Sequence, residues 1–255
     1  TIDLGGTSFD VALIRDGQPT MSRSIQVDMQ PIGVPAVDVN SVAAGGGSMA
    51  HVDSGGVLHV GPQSAGAVPG PACYGAGGTR PTVTDATVVL GYLEPSTFLG
   101  GRRTIETDLA SEAIRKDVGE PLGIDVTEAA AGIIRVVREN MVSAIRAVSV
   151  ERGIDPRNYT IVSGGGGGGL HAAWLARELG MKQVIVPPAA GTLSSFGMTV
   201  TDVRADHVSP YFSVSDDVDC SRLDQLYREL EHEAIESLAR DGFESDQIVL
   251  ERQVD

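Results

Sequence analysis

The sequence contains a run of six glycines, from Gly164 to Gly169, between a β-branched stretch and an Ala/Leu-rich stretch. Residues 159–163 have strand composition and residues 170–179 have helix composition, so the run is predicted to join a strand to a helix. The start of such a helix presents unpaired N–H groups and the positive end of its dipole, which suits a phosphate or a nucleotide lying against bare backbone. Close packing between the helix and the strand is the alternative explanation.

Two familiar phosphate-binding motifs match this run only weakly. The glycine spacing of a dinucleotide-binding loop is present, but the next strand-like stretch ends in Pro187-Pro188 instead of the acid that would hold a ribose. A Walker-type loop needs a lysine at the start of the helix, and the chain's two lysines, Lys116 and Lys182, lie elsewhere. A side chain at Gly166 is expected to fill the ligand's space and to resist a positive φ.

A second glycine turn lies near the start of the sequence. Residues 2–14 predict a β-hairpin whose turn is Gly5-Gly6-Thr7. Two acids, Asp3 and Asp10, stand on either side of this turn. The hairpin therefore combines bare backbone with carboxylates.

Between the two glycine turns, residues 38–84 are rich in glycine and proline and carry only short β-like pieces, which predicts a large irregular region. A region of this length without regular structure is usually functional.

Two apolar stripes with helical periodicity predict core helices. The first helix is expected to run from a cap at Thr127 to a stop at Gly153, and the second from about Ser221 to Arg240. The first stripe consists of Ala130, Ile133, Ile134, Val137, Met141, Ala144 and Val148. The second consists of Leu223, Leu226, Leu230, Ala234 and Leu238.

Composition restricts the class of protein. The net charge of −15 argues against nucleic acid and anionic membranes as partners, and the sequence has no long uninterrupted apolar stretch. We expect a cytoplasmic protein whose two cysteines, Cys73 and Cys220, are reduced. The sequence starts inside a predicted strand and ends after another, so we expect an excised segment of a longer protein.

Four motifs together resemble the hydantoinase A / 5-oxoprolinase family, within the actin-like ATPase superfamily. They are DLGGTSFD at 3–10, VNSVAAGGGSMAHVDSGG at 39–56, GPQSAGAVPGPACYGAGGTRPTVTDA at 61–86 and GGGGGGLHA at 164–172. The resemblance implies an α/β fold of the actin-like (ribonuclease H-like) type, here its C-terminal half plus a glycine-rich irregular β region. Within a single domain, 1–255, it implies a phosphate hairpin at 1–20, a family-specific region at 38–86, helices and an adenosine loop at 105–200, and the start of a following region at 201–255.

The function implied by this resemblance is ATP-dependent ring opening of a cyclic amide of the hydantoin or 5-oxoproline type. An ATP-dependent ketone carboxylase subunit and a non-catalytic nucleotide-binding subunit stay open as alternatives. A related small-molecule kinase is a further alternative, but it should lack the Pro-Gly-Pro-Ala-Cys-Tyr-Gly block. The resemblance also implies a hydantoinase B-type partner subunit or domain.

The same resemblance implies roles for individual residues. The expected cofactors are ATP and Mg²⁺, with the β- and γ-phosphates on the hairpin turn and the adenosine and α-phosphate on the glycine run. The residues expected to bind nucleotide are Gly5, Gly6, Thr7, Gly164, Gly165, Gly166, Gly167 and His171. The expected catalytic residues are Asp3, Asp10 and Asp85, of which Asp3 and Asp10 would hold the metal. For Asp85, a helix N-cap is the alternative, and Cys73 is as compatible with a buried thiol as with a nucleophile.

Overall fold

This computed structural model of the protein describes residues 1–254 except 23–24, 28–29, 34–35 and 103. The chain divides into two compact units, Thr1–Thr199 and Val200–Asp255. The strands are β1 (Ile2–Leu4), β2 (Phe9–Ala12), β3 (Ile14–Arg15), β4 (Gln18–Pro19), β5 (Met21–Ser22), β6 (Ile25–Val27), β7 (Gln30–Ile32), β8 (Ala36–Val37), β9 (Val39–Val42), β10 (Ser48–Val52), β11 (Leu58–Ser64), β12 (Ile161–Gly164) and β13 (Val184–Ile185). The helices are α1 (Val83–Val89), α2 (Thr107–Ile114), α3 (Glu120–Leu122), α4 (Val126–Val148), α5 (Gly168–Glu178), α6 (Leu193–Val200) and α7 (Cys220–Arg240).

The first unit is built on a five-stranded sheet with the order β13-β12-β1-β2-β9. β1 and β2 form the predicted antiparallel hairpin, and β9 continues the antiparallel pairing beyond β2. On the other side of β1, β12 and β13 run parallel to it. The parallel pair β1 and β12 therefore joins the start of the sequence to the strand that precedes the glycine run.

The two faces of this sheet differ in polarity because residues alternate along each strand. On β1, Ile2 and Leu4 are buried and Asp3 between them is half-buried. On β2, Phe9 and Val11 are buried on the same side, in one core with the apolar faces of α4 and α5. The intervening acids, Asp3 and Asp10, are thereby directed to the other face.

The predicted helix in the middle of the sequence is confirmed as α4, and every residue of its apolar stripe is buried. The expected cap at Thr127 is wrong by two residues. The N-cap is Asp125, whose carboxylate accepts a hydrogen bond from the Glu128 backbone N–H at 2.9 Å. Aspartate is at least as good a cap as threonine, and two candidate caps this close in sequence compete for the same helix start.

The second predicted helix is confirmed as α7, but the expectation that its stripe forms a core is wrong. Of the five stripe residues Leu226 is buried and the other four are half-buried. A short unit cannot cover a long apolar helix face as fully as a larger one, because its surface is large relative to its volume.

The glycine-rich region between the two turns holds more regular structure than its composition predicts. β9 joins the main sheet, β10 and β11 pair with each other, and α1 follows them. None of the described helices is long and apolar enough to cross a membrane.

Candidate functional site

Two glycine turns meet at one edge of the sheet. The Gly5-Gly6-Thr7 turn follows β1, and the loop Gly165–Gly167 follows β12, the parallel neighbour of β1. The carboxyl ends of parallel strands lie at the same edge, so the two turns are adjacent. The Gly167 N–H donates a hydrogen bond to the Leu4 carbonyl at 3.1 Å, which ties the second turn to the first strand.

A row of four residues crosses the polar face of the sheet beside these turns. Asp3 lies directly opposite Asp10 on one side and opposite Gly164 on the other, and Asp10 lies opposite Ser41. Directly opposed residues have Cβ atoms roughly 5 Å apart, so both carboxylates can contact one cation. The structure therefore brings together the two residues predicted to hold a metal.

One oxygen of each carboxylate is held by a serine. Ser194, at the start of α6, donates its hydroxyl to Asp3 Oδ2 at 2.5 Å, and Ser8 donates to Asp10 Oδ2 at 2.9 Å. These contacts restrict the rotamers of the two acids. Sequence reasoning missed Ser194, because nothing in its neighbourhood marks a serine 191 positions away as a partner of Asp3.

The Gly5-Gly6-Thr7 turn is open on its outer side. A Cβ built on Gly5 or Gly6 would meet no atom within 4 Å. The Gly6 and Thr7 N–H groups donate to no acceptor in the described part of the chain, whereas the Gly5 N–H closes the turn onto the Ser8 carbonyl at 3.2 Å. This turn therefore offers free N–H donors and space for a ligand.

The inner side of the turn rests on a second glycine segment, Gly45-Gly46-Gly47. Gly45 donates to Thr7 at 3.2 Å, Gly46 to Gly5 at 3.0 Å and Gly47 to Gly6 at 2.5 Å, each from its N–H to a backbone carbonyl. A Cβ on Gly45 would overlap Thr7 and one on Gly47 would overlap the Gly6 carbonyl, so side chains at these two positions would displace the turn. The triple glycine was visible in the sequence, but its partner was not.

The segment Gly45-Gly46-Gly47, which we call the brace, is itself held by the start of α1. The Thr84 N–H and the Thr84 hydroxyl both donate to the Gly46 carbonyl at 2.8 Å. A continuous set of hydrogen bonds thus links the start of α1 to the Gly5-Gly6-Thr7 turn through Gly46.

The positions of the six-glycine run differ in whether a side chain would meet a neighbour. A Cβ on Gly165 would overlap the Leu4 carbonyl and Asp3 Oδ1, and one on Gly168 would overlap the Ser163 hydroxyl, so close packing explains these positions. Gly166 has nothing within 4 Å, and its N–H has no acceptor in the described residues. The expectation of a positive φ at Gly166 is wrong, since the left-handed residue is Gly165, with φ of 75°. Packing therefore does not explain Gly166, and at Gly169 a Cβ would make only an ordinary contact with Val186 at 3.7 Å.

Asp85 is fully buried and its oxygens already accept hydrogen bonds. Oδ1 accepts from the Cys73 N–H at 2.7 Å. Oδ2 accepts from the Thr82 N–H and hydroxyl, each at 2.8 Å, and from the Ala72 N–H at 3.2 Å. Asp85 is the N3 residue of a capping box whose N-cap is Thr82, so it is not itself the N-cap. Its hydrogen bonds hold the Ala72-Cys73 backbone against the start of α1.

His171 also lies in the interior, with 1% of its surface exposed. Its Nδ1 accepts a hydrogen bond from Arg138 Nε at 3.4 Å. Burial lowers the pKa of His171 to about 4, and the Arg138 charge acts in the same direction. The expected contact between this ring and a nucleotide is not supported, because the neutral imidazole packs against α4 beneath the glycine loop.

The two cysteines form no disulfide with each other, and Cys73 is buried whereas Cys220 is exposed. Cys73 lies in a small apolar cluster with Val88, Ile105 and Ala110. This environment favours the buried-thiol explanation over a nucleophile.

The sequence is similar to a known protein family and to several of its members. The family model of hydantoinase/oxoprolinase matches residues 1–207. The chain is 46% identical over 248 residues to caprolactamase subunit alpha of Pseudomonas jessenii, covering 96% of this chain and 36% of that protein. It is 43% identical over 203 residues to the acetophenone carboxylase gamma subunit of Aromatoleum aromaticum, covering 79% of this chain and 28% of that protein.

The fold of this chain also resembles that of a solved structure. The nucleotide-free structure of acetone carboxylase, described with the mechanism of ATP-dependent acetone carboxylation, matches with a TM-score of 0.79 and 32% identity. The match covers 96% of this chain and 36% of that one, so the chain spans about a third of the length of the acetone carboxylase chain and of the caprolactamase subunit. By the extent of the family match and these identities, the chain belongs to the hydantoinase/oxoprolinase family.

Proposed function

We propose that this chain is the phosphate-binding part of an enzyme that opens a cyclic amide at the expense of ATP. The observation that carries the proposal is the placement of Asp3 and Asp10 side by side, between two glycine turns with free N–H groups. Backbone N–H donors bind phosphate oxygens, and paired carboxylates bind a divalent cation. The alpha subunit of a caprolactamase, at 46% identity, supports the amide substrate class.

The residues present fit ATP and Mg²⁺. Within the described part of the chain no group of three or more acidic, histidine or cysteine side chains is placed to hold a metal. Mg²⁺ does not need such a cage, since it keeps several waters and is usually held by one or two carboxylates together with substrate phosphates. Asp3 and Asp10 match that donor set, and the open N–H groups of Gly6 and Thr7 match the phosphates.

When bound, ATP would supply a phosphoryl group to the amide oxygen, which would make the carbonyl carbon electrophilic enough for water to add. The ring C–N bond would then break with a proton going to the nitrogen, and a second water would release the phosphoryl group as inorganic phosphate. The hairpin turn would orient the terminal phosphates through the Gly6 and Thr7 N–H groups and the Thr7 hydroxyl. Asp3 and Asp10 would hold the metal ion, and their serine partners keep the carboxylates in place. Gly166 would leave the backbone bare for the rest of the nucleotide. Asp85 positions the Ala72-Cys73 backbone without contacting a reactant.

The sheet supports the finer description of the fold as an actin-like half. It combines an antiparallel β1-β2-β9 meander with parallel β12 and β13, and α5 follows β12 directly. We propose the actin-like ATPase fold on this basis. The relatives named as alpha and gamma subunits support a partner subunit, which we propose to be of the hydantoinase B type.

A ketone carboxylase is the second candidate, favoured by the similarity to the acetophenone carboxylase subunit and the acetone carboxylase structure. A ketone oxygen can accept a phosphoryl group as an amide oxygen does, so the same turns would serve both reactions. The described geometry is common to the two candidates, and the substrate distinguishes them.

The test is the rate of ATP hydrolysis by the gene product that contains this chain, purified with its partner. One set of assays adds lactams and hydantoins, and a matched set adds acetone or acetophenone with bicarbonate. We expect stimulation by a cyclic amide together with release of the ring-opened amino acid. Stimulation by ketone and bicarbonate alone would replace the amide proposal with the carboxylase one. Binding of ATP without hydrolysis under any condition would reduce the protein to a nucleotide-binding subunit.

A further inference from the structure

A cavity of about 300 Å³ lies between the end of α1 and the exposed sides of α4 and α5. One wall is apolar and includes Leu90, Ala131 and Ile134. The rest of its lining is polar or aromatic, with Arg138 and Trp174 the central pair. The proposed phosphate site uses none of these side chains.

The Arg138 guanidinium is held in this cavity by neutral groups. Nε donates to His171 Nδ1 and Nη2 to the Leu170 carbonyl, each at 3.4 Å. The guanidinium lies over the Trp174 ring at 5.2 Å and over the Tyr92 ring at 5.9 Å, measured to the ring centroids. These aromatic faces restrict the orientation of the guanidinium plane.

No carboxylate forms an ion pair with Arg138 in the part of the chain that the structure describes. Tyr92 is a neutral hydrogen-bond partner that favours the charged guanidinium, while Arg177 adds a second positive charge nearby. Burial lowers the pKa of Arg138. A partly desolvated cation without an anion is unfavourable, and a guanidinium carries more N–H donors than these contacts use. The arrangement is therefore suited to receive an anion.

We propose that this cavity binds a small aliphatic carboxylate, with the carboxylate on Arg138 and the hydrocarbon chain on the apolar wall. A guanidinium binds a carboxylate through two parallel hydrogen bonds, and Arg135 at the exposed rim adds attraction for an anion. The apolar wall suits an alkyl chain and offers no donors to a phosphate. Glu139 also lines the cavity, and its charge disfavours anions that carry more than one charge.

Trp174 makes the cavity directly observable because it is the only tryptophan of this sequence. We would measure the fluorescence of Trp174 while the 255-residue chain is titrated with pentanoate. Parallel titrations with sodium chloride, phosphate and butylamine serve as controls for ionic strength, for another anion and for the alkyl chain alone. We expect a saturable change with pentanoate only. Arg138→Lys, which keeps the charge but loses the planar fork, should weaken binding by about tenfold. Arg146→Met, on the same helix as Arg138 but exposed and outside the cavity lining, should leave pentanoate binding unchanged.

Circular dichroism melts establish that each variant is folded. If the 255-residue chain lacks a cooperative melt, calorimetry on the gene product that contains it makes the same comparison of probes and variants. An equal response to butylamine would show a merely apolar pocket, and an equal response to phosphate would show a non-selective one. Either result, or no saturable response to pentanoate, overturns the proposal, as does unchanged affinity in Arg138→Lys.

Discussion

The proposed cation site depends most on the carboxylate of Asp3. In Asp3→Asn the side chain keeps its shape and can still contact Ser194, but it loses the charge. We expect ATP turnover to fall by roughly 100-fold or more, with a higher Mg²⁺ requirement and little change in melting temperature. Asp16→Asn is the matched control, since Asp16 sits in an exposed turn with φ of 53° that asparagine tolerates equally. Near wild-type turnover in Asp3→Asn would make Asp3 a turn residue.

Neighbouring glycines in the run should respond differently to the same change. Gly166→Ala, and more strongly Gly166→Val, should fold normally but bind ATP weakly, because the added atoms occupy only space left for a ligand. Gly165→Ala should instead lower the free energy of unfolding by more than the about 1–3 kcal/mol that its φ of 75° costs alanine, because the added Cβ would also overlap the Leu4 carbonyl. Thermal melts and nucleotide titrations on both variants separate the two effects. Unchanged ATP affinity in folded Gly166→Val would remove the nucleotide assignment of the run.

Buried His171 predicts a dependence of stability on pH. Its pKa is about 4 in the folded chain against 6.5 unfolded, so the unfolded chain binds more protons between these values. Stability should therefore be full above pH 6.5 and fall with acidification towards pH 4, by at most about 1.4 kcal/mol per pH unit from this group.

Chemical denaturation from pH 7 to pH 4.5 measures this slope. His171→Gln should flatten the slope relative to wild type, whereas His232→Gln, on the exposed side of α7, should not. Equal slopes for wild type and His171→Gln would contradict the buried neutral imidazole.

At the scale of elements, the start of α1 supports the phosphate hairpin through Gly46. Thr84→Val removes the hydroxyl hydrogen bond to the Gly46 carbonyl but keeps the branched shape. We expect a loss of about 1 kcal/mol in stability and a several-fold rise in KM for ATP, because the hairpin turn loses part of its support. Thr87→Val is the control, since its hydroxyl bonds within α1 to the Thr84 carbonyl. Thr84→Ser should restore the KM, and a KM unaffected by Thr84→Val would show that the brace does not position the turn.

Much of this element level could be read from the sequence, for identifiable reasons. The β1-β2 hairpin and α4 were predictable because turn residues and apolar periodicity are local signals. The pairing of β1 with β12, the brace by Gly45–Gly47 and the Ser194 contact join segments far apart in sequence. No local signal specifies such partners. Asp85 and His171 were expected at the site because of their motifs, but both side chains are buried in the structure. A single sequence does not reveal the burial of a polar residue.

At the scale of the whole molecule, we expect the proposed site to form one half of a nucleotide cleft. Turnover requires a closed, water-excluding site, and this chain presents a single Asp-Gly-Gly-Thr-like hairpin in its described residues. We expect the purified 255-residue chain to show no substrate-stimulated ATP hydrolysis, while the gene product that contains it does. The two are compared side by side in steady-state assays, with Asp3→Asn of the longer protein as the background. Comparable turnover by the 255-residue chain would refute the need for a second half.

The parallel pairing of β1 with β12 also has a consequence for synthesis on the ribosome. The Thr1 hydroxyl donates to the Val162 carbonyl across 161 positions of sequence, and the Asp3 to Gly164 pair lies beside it. Neither glycine turn can take its place next to the other until β12 has left the exit tunnel. Until then the β1 edge that later pairs with β12 is exposed, and no nucleotide can bind between the two turns to cover it. We therefore expect chaperones to bind the nascent chain until residue 164 has left the tunnel and to release it afterwards.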